Sequence, residues 1–147
     1  MTPAGDAAAD TLTLHATTVA HAGRAVLIRG ASGSGKSALA LQLIALGARL
    51  VADDRTILRR RGTGLIADCP ETIQGRIEAR GVGILAAATA CPTPVTLVVD
   101  MDSEEDERLP DLRNTEILGV TLPVQRKVNL PHFPPALLSY LEHGRIA

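Results

Sequence analysis

The sequence predicts a single α/β domain with a mixed β-sheet, and three observations support this prediction. Apolar segments of strand length recur along the chain, the segment Lys36–Leu46 has helical spacing, and no linker-like stretch divides the chain. At 147 residues the chain is long enough to bury one sizeable core. We expect residues 1–10 to form a flexible tail and residues 11–147 to fold as the domain.

The first half of the predicted domain contains three strands and one helix. Alternation of polar and apolar residues over Thr11–Ala16 predicts a strand with one exposed face. The compact apolar run Arg24–Arg29 predicts a buried strand that ends at a glycine. Strong helix formers over Lys36–Leu46 predict a helix with Gly47 as its C-cap. The apolar run Leu50–Asp53 predicts a further strand that ends in an acidic residue.

The second half is predicted to be mainly β-structure. Gly62–Gly64 separates two β-prone runs and therefore predicts a hairpin. Pro94–Met101 is the most strongly β-prone segment of the chain, and Asp102–Asp111 predicts a solvated acidic loop. The remaining predicted elements are the hairpin strands Thr56–Arg61 and Leu65–Cys69, a short strand Arg76–Arg80 and a terminal helix Pro135–His143.

Composition argues against several classes of binding partner. Aromatic residues make up 1% of the chain, so the core must be built from Ala, Val, Leu and Ile, and few rings are available to stack on single-stranded nucleic acid. A formal net charge of -1 gives no electrostatic footprint for duplex DNA. No apolar run reaches the roughly 18 to 20 residues that span a bilayer. Cys69 and Cys91 lack a metal-binding spacing, and we expect two buried thiols in a reduced, cytoplasmic protein.

The clearest motif is a phosphate-binding loop. Gly30–Ser37 has the sequence GASGSGKS and fits G-x-x-x-x-G-K-[ST] in full, between an apolar strand and a helix. Its glycines allow backbone N–H groups to face phosphate oxygens, and the helix N-terminus adds its positive dipole end. Lys36 can reach the β- and γ-phosphates, and the Ser37 hydroxyl can ligate Mg²⁺. We predict a nucleotide site formed by Gly30, Ala31, Ser32, Gly33, Ser34, Gly35, Lys36 and Ser37.

This loop occurs in kinases, ATPases and GTPases, so it does not define the reaction. A GTPase usually contains an N-K-x-D motif for the base, whereas Lys127 is followed here by Val128 and Asn129. The reaction therefore depends on where the carboxylates of the chain lie.

Two apolar strand segments end in carboxylates. Leu50–Asp54 and Leu97–Asp100 each predict a strand that delivers aspartate to a sheet edge, where α/β proteins bind ligands. Adjacent side chains on a strand point to opposite faces, so we expect at most one of Asp53 and Asp54 to face the phosphates. Glu78 lies on the predicted short strand before a glycine-rich bend. The pattern alone leaves open which of these acids belong to the site and which are solvated.

Taken together, these segments resemble the catalytic domain of HPr kinase/phosphorylase, the bacterial enzyme that phosphorylates a serine of the phosphocarrier protein HPr. The matching pieces extend from Leu12 to Pro123 in the family's order. They are His15, the loop GASGSGKS, then L-V-A-D-D-R, E-A-R-G-V-G-I-L, E-R-L and E-I-L-G-V. The combination is specific to the family, whereas the loop alone is not.

The resemblance implies a P-loop fold related to the phosphoenolpyruvate carboxykinases, usually assembled into hexamers. It also implies ATP and Mg²⁺ as cofactors and an HPr-like protein as substrate. By matching position, Asp54 resembles the catalytic base, His15 a histidine that assists it, and Arg108 a catalytic arginine. Lys36 resembles the phosphate-binding lysine, and Ser37 and Glu78 resemble the Mg²⁺ ligands.

One segment departs from the family pattern. A basic P-V-R-P-G-R stretch, associated with dephosphorylation, follows E-I-L-G-V in the family, but Pro123–Asn129 here reads P-V-Q-R-K-V-N. The sequence therefore favours serine kinase activity over phosphorylase activity. Two alternatives stay open: a regulatory module that binds ATP without transferring phosphate, and a small-molecule kinase.

Overall fold

The structure is a computed structural model that describes residues 10–147. Most of the predicted tail, residues 1–9, lies outside the described residues. The described chain forms eleven strands, two helices and one short 3-10 turn at Glu71–Ile73. The strands are β1 (Thr11–Leu14), β2 (Ala16–His21), β3 (Arg24–Arg29), β4 (Arg49–Ala52), β5 (Thr56–Arg61), β6 (Gly64–Asp68), β7 (Arg76–Ala79), β8 (Gly83–Ala86), β9 (Thr93–Glu104), β10 (Arg113–Ile117) and β11 (Val120–Lys127); the helices are α1 (Lys36–Ala45) and α2 (Phe133–His143).

Nine of these strands form one mixed sheet, which confirms the predicted fold class. Its order is β1-β5-β6-β9-β3-β2-β4, with β11 also paired to β9 and β10 paired to β11. The β9–β3 and β9–β11 pairs are parallel, and the other pairs of this sheet are antiparallel. β7 and β8 form a separate two-stranded hairpin.

The central strands are apolar on both sides because each side is covered. In β3, Val26 and Ile28 pack toward the helices, whereas Ala25 and Leu27 pack into a second cluster on the opposite side. The helices cover the first side, where Leu43 of α1 is fully buried. The sheet bends over its second side, where side chains of β5, β6, β10 and β11 complete the core. The two covered sides explain why β3 and β9 are near-continuous apolar runs.

Several strands were not predicted. β9 continues to Glu104, three residues into the predicted acidic loop, because it pairs with β11 as far as Lys127. β2, β8 and β10 were missed because their sequences lack a sustained apolar run or clean alternation, and β11 was missed although Val120–Gln125 alternates apolar and polar residues. The predicted strand Thr11–Ala16 is in fact two strands that meet at His15.

Both cysteines are free thiols, but the expectation that both are buried is correct for only one of them. Cys69 is buried and Cys91 is half-buried. Burial raises the pKa of the Cys69 thiol to about 11, and the nearby Cys91 adds to this shift. Within residues 10–147, no helix is long and apolar enough to cross a membrane.

Candidate active site

The phosphate loop, Gly30–Ser37, joins the end of β3 to the start of α1, as the sequence predicted. Parallel pairing places β9 directly beside β3, so Asp100 lies opposite Arg29 at the entrance to the loop. Gly30 has φ 154°, and a Cβ atom at this position would lie 2.7 Å from Ser34 Oγ and 3.0 Å from Met101 Cβ. The loop can therefore close only around a glycine.

Lys36 lies at the centre of this loop and is 8% exposed. Its Nζ donates hydrogen bonds to the carbonyl oxygens of Gly30, at 2.8 Å, and Ala31, at 3.0 Å. The ammonium group is thus held within the curve of the loop by neutral acceptors. An incoming anion can compete for it without first breaking an ion pair among the described residues.

The buried carboxylate of Asp53 connects three segments of the chain. Its Oδ1 accepts hydrogen bonds from Ser37 Oγ at 2.6 Å and from Thr17 Oγ1 at 3.0 Å. Its Oδ2 accepts a hydrogen bond from the backbone N–H of Glu78 at 2.9 Å. Asp53 is 8% exposed, so these three donors replace the water that a carboxylate would otherwise require.

Asp54 lies in a different environment from its neighbour. β4 ends at Ala52, and Asp54 adopts a left-handed backbone with φ 67°, which Asp tolerates better than most residues. Its side chain is 69% exposed, and its Oδ1 lies 3.9 Å from Nδ1 of His15. As predicted, only one acid of the pair faces the phosphate loop, and that acid is Asp53. Asp54 is left free to meet a group that arrives from solvent.

Glu78 and Arg108 lie in contrasting positions. The Glu78 backbone is bonded to Asp53, and its side chain is exposed on β7. Arg108 lies on the exposed segment after β9 and lines a cavity of about 570 Å³ against α2. No residue of the phosphate loop lines that cavity. The structure therefore brings Glu78 to the site and leaves Arg108 outside it, and the catalytic role of Arg108 stays a prediction.

The oxygen atoms around Ser37 fit a magnesium ion. Mg²⁺ prefers hard oxygen ligands and is commonly bound by one or two protein groups together with substrate phosphates and water. Ser37 Oγ and Asp53 Oδ1 lie 2.6 Å apart beside the loop. Among residues 10–147, no three His, Cys, Asp or Glu side chains converge as a complete metal site. The protein groups therefore match a metal that shares its coordination with bound phosphates.

Two contacts in the site were not predicted from the sequence. The first is the hydrogen bond between Asp53 and Ser37. The sequence pattern could not distinguish Asp53 from Asp54 as the residue that faces the loop, because this depends on the bend after β4. In the second contact, Oδ1 and Oδ2 of Asp102 accept hydrogen bonds from the Ala31 N–H at 2.9 and 3.2 Å. No local signal marks Asp102, since its position follows from the long-range pairing of β9 with β3.

Comparison with known proteins identifies the family. Residues 6–132 match the family model described as "HPr Serine kinase C-terminal domain". The chain belongs to this family. A solved structure of the HPr(Ser) kinase/phosphatase from Coxiella burnetii superposes with a TM-score of 0.73 and 28% identity, covering 87% of this chain and 92% of that one.

Curated HPr kinase/phosphorylases are similar over most of this HPr serine kinase domain. The protein from Alkaliphilus metalliredigens is 36% identical over 143 residues, which cover 85% of this chain and 46% of that protein. The protein from Bordetella pertussis is 45% identical over 86 residues, covering 58% of this chain and 28% of that protein. The chain thus spans about half the length, or less, of these curated relatives.

Proposed function

We propose that this protein is an ATP- and Mg²⁺-dependent serine kinase that phosphorylates an HPr-like phosphocarrier protein. The observation that supports this proposal best is that two adjacent acids lie in different environments. Asp53 is buried and bonded to Ser37, whereas Asp54 is exposed and beside His15. One carboxylate is thus placed to organise the phosphate end of a nucleotide, and the other is placed to meet a hydroxyl group from a partner protein.

In this proposal the phosphate loop binds the β- and γ-phosphates through its backbone N–H groups and Lys36. Ser37 and Asp53, with Glu78 on the neighbouring strand, would hold Mg²⁺. The metal, when bound, neutralises charge that develops on the transferring phosphoryl group. Positioning and charge neutralisation supply most of the rate enhancement in phosphoryl transfer, so no covalent intermediate on the protein is needed.

Asp54 would accept the proton of the serine hydroxyl as the hydroxyl oxygen attacks the γ-phosphorus. This role requires a carboxylate within about 3 Å of the hydroxyl. An exposed side chain on a bend can be approached by a serine of another protein, which a buried carboxylate cannot. His15, 3.9 Å from Asp54, would orient the carboxylate and share the proton.

A second cavity, of about 440 Å³, adjoins the phosphate loop and fits the nucleoside. Loop residues Ser34 and Gly35 form one end of it, and Leu39, Met101 and Val128 supply apolar walls. Phe133, which lies about a hundred residues along the chain from the loop, also lines this cavity. Phe133 is 6% exposed, so adenine would meet mainly aliphatic and backbone groups.

The proposal is tested with purified protein, an HPr-type protein from the same organism, ATP and Mg²⁺. We expect phosphoserine on the HPr-type protein, measured by mass spectrometry. Asp54→Asn should abolish transfer and leave the dissociation constant of ATP within about twofold, since Asp54 touches no residue of the phosphate loop. Asn also tolerates the left-handed backbone at this position, so the bend is preserved.

Lys36→Ala supplies the complementary variant, because it should lose ATP binding and transfer together. Full transfer by Asp54→Asn would show that another group is the base. ATP binding that depends on Lys36, with no phosphorylated product from any HPr-type protein, would favour the alternative of an ATP-sensing regulatory module. We further propose that the protein is cytoplasmic and forms a homo-hexamer; light scattering of the purified protein tests the hexamer.

A further inference from the structure

Lys127, the last residue of β11, lines the cavity of about 440 Å³ that adjoins the phosphate loop. The sequence contains only two lysines, and the other is Lys36 of the loop itself. The mechanism proposed above uses Lys36 and gives no role to Lys127. Both lysines nevertheless border the space that a nucleotide would occupy.

The sheet topology explains why Lys127 lies there. β3, β9 and β11 are neighbouring parallel strands, so their C-terminal ends lie at one edge of the sheet. At this edge β3 leads into the phosphate loop, β9 contributes Met101 to the cavity and β11 ends at Lys127. The C-terminal edge of parallel strands is the place where α/β proteins bind ligands.

Met101 connects the loop to Lys127. A Cβ atom at Gly35 would lie 3.5 Å from Met101 Cε, so the Met101 side chain lies against the loop. β9 has a bulge between its pairs with Arg126 and Lys127, and Met101 lies in this bulge. Neighbouring strands are about 4.8 Å apart, and the ammonium group of a lysine sits on a flexible four-carbon stem. The Lys127 ammonium can therefore reach a group that is bound between the loop and the cavity.

No acidic side chain neutralises Lys127 within residues 10–147. Its register partner on β9 is Glu104, but no ion pair joins the two. The residue is also half-buried. A half-buried ammonium group without a counter-ion loses part of its hydration and gains no ion pair in return. A bound anion would supply the missing counter-ion.

We infer that Lys127 is a second cation of the nucleotide site and binds the phosphate group nearest the nucleoside, whereas Lys36 binds the β- and γ-phosphates. This inference rests on the proposed nucleotide-binding function and adds a residue to it. Ser34 and Gly35 of the loop form one end of the cavity, and its apolar walls fit the nucleoside. The α-phosphate is the anionic group of ATP that joins those two parts. For an ammonium donor, a phosphate oxygen is also a stronger acceptor than a ribose hydroxyl group.

The test measures the dissociation constants of ATP and of inorganic pyrophosphate by isothermal titration calorimetry, for the wild-type protein and for Lys127→Gln. We expect Lys127→Gln to bind ATP about 5- to 20-fold more weakly, which is the loss of one charge-assisted hydrogen bond that solvent partly screens. Pyrophosphate can occupy the β- and γ-positions beside Lys36 but has no α-phosphate. Its dissociation constant should therefore change by less than about twofold at about 0.15 M salt, where the Debye length is about 8 Å.

Arg126→Gln is the matched control, because it removes the same charge from the adjacent residue, which lines neither of the two cavities. It should leave both dissociation constants within about twofold of wild type. Lys127→Arg keeps the charge and should restore ATP binding to within about threefold of wild type.

The thermal midpoint of the ligand-free proteins separates a binding role from a structural one. Lys127→Gln should unfold at the same temperature as wild type or at a higher one, because it removes a half-buried charge that has no counter-ion among the described residues. A lower midpoint together with equal weakening of ATP and pyrophosphate binding would show a structural role and overturn the inference.

The remaining outcomes separate this inference from the proposed function. ATP binding by Lys127→Gln within about twofold of wild type would overturn the inference and leave the proposed function standing. Failure of the wild-type protein to bind ATP would overturn both. ATP binding that depends on Lys127, with no phosphoserine formed on an HPr-type protein, would support the inference and contradict the proposed kinase.

Discussion

Replacement of Asp53 by asparagine tests whether this buried carboxylate stabilises the site, because Asn keeps the shape of the side chain and removes its charge. The Asp53 carboxylate accepts hydrogen bonds from Ser37, Thr17 and the backbone N–H of Glu78. In the variant, the single amide oxygen can accept hydrogen bonds either from the two hydroxyl groups or from the N–H of Glu78, but not from both sides. The N–H of Glu78 cannot accept a hydrogen bond, so the amide NH₂ must face the two hydroxyl groups, which have to rotate.

The magnitude follows from these three bonds. A hydrogen bond to a charged group contributes about 1 kcal/mol more than a neutral one, so three such bonds in Asp53→Asn amount to about 3 kcal/mol of unfolding free energy. For a chain of 147 residues this corresponds to a fall of about 9 °C in the thermal midpoint.

The assay is thermal unfolding followed by circular dichroism, with Asp54→Asn as the matched control. Both variants remove one carboxylate charge from adjacent positions, but the Asp54 side chain is 69% exposed and makes no hydrogen bond among the described residues. We expect Asp54→Asn to unfold within about 2 °C of wild type. A fall smaller than about 2 °C in the thermal midpoint of Asp53→Asn would contradict this prediction. It would mean that the cost of burying the charge cancels the stabilisation from its three hydrogen bonds.

Three further predictions concern other parts of the molecule. Gly30→Ala should lower the free energy of unfolding by about 1–3 kcal/mol and weaken ATP binding at least tenfold, because the added Cβ atom would press on Met101 and Ser34. An unchanged ATP affinity in isothermal titration calorimetry would contradict this prediction. His15→Gln should reduce the rate of phosphoserine formation while leaving ATP affinity unchanged; equal losses in both would place His15 in nucleotide binding instead. Burial raises the pKa of the Cys69 thiol from its ordinary value of 9.0 to about 11, so unfolding releases a proton from this thiol at pH values between the two. The contribution of the Cys69 thiol to the free energy of unfolding is therefore fully present below pH 9.0 and is lost as the pH rises toward 11. Cys69→Ser should reduce that fall in urea titrations, and an identical pH profile would show that another group is responsible.

The sequence predicted the parts of the site that depend on local pattern. Gly30–Ser37 and the flanking strand and helix were predicted because one short segment contains the glycines, the lysine and the periodicity together. The hairpin strands Thr56–Arg61 and Leu65–Cys69 were predicted nearly to their ends for the same reason: Gly62–Gly64 turns the chain locally. The resemblance to the family added Asp54, His15 and Glu78, which pattern alone left open.

What the sequence could not predict depends on distant parts of the chain. Asp53 is the buried acid because β4 pairs with β2 and places it beside Thr17 and Ser37. The contact between Asp102 and Ala31 requires the parallel pairing of β9 with β3, across a separation of 71 residues. Neither pairing leaves a mark in the residues around the acid itself.

The length of β9 has a consequence for how the protein folds. Its first residues pair with β6, its later residues pair with β11, and β3 lies along the opposite edge. Neither apolar cluster can close before this strand has found partners from both earlier and later segments of the chain. We therefore expect the two clusters to form in one cooperative step that is slow because its contacts are non-local. The amides of Leu97, Val98 and Val99 should be among the last to exchange with solvent deuterium.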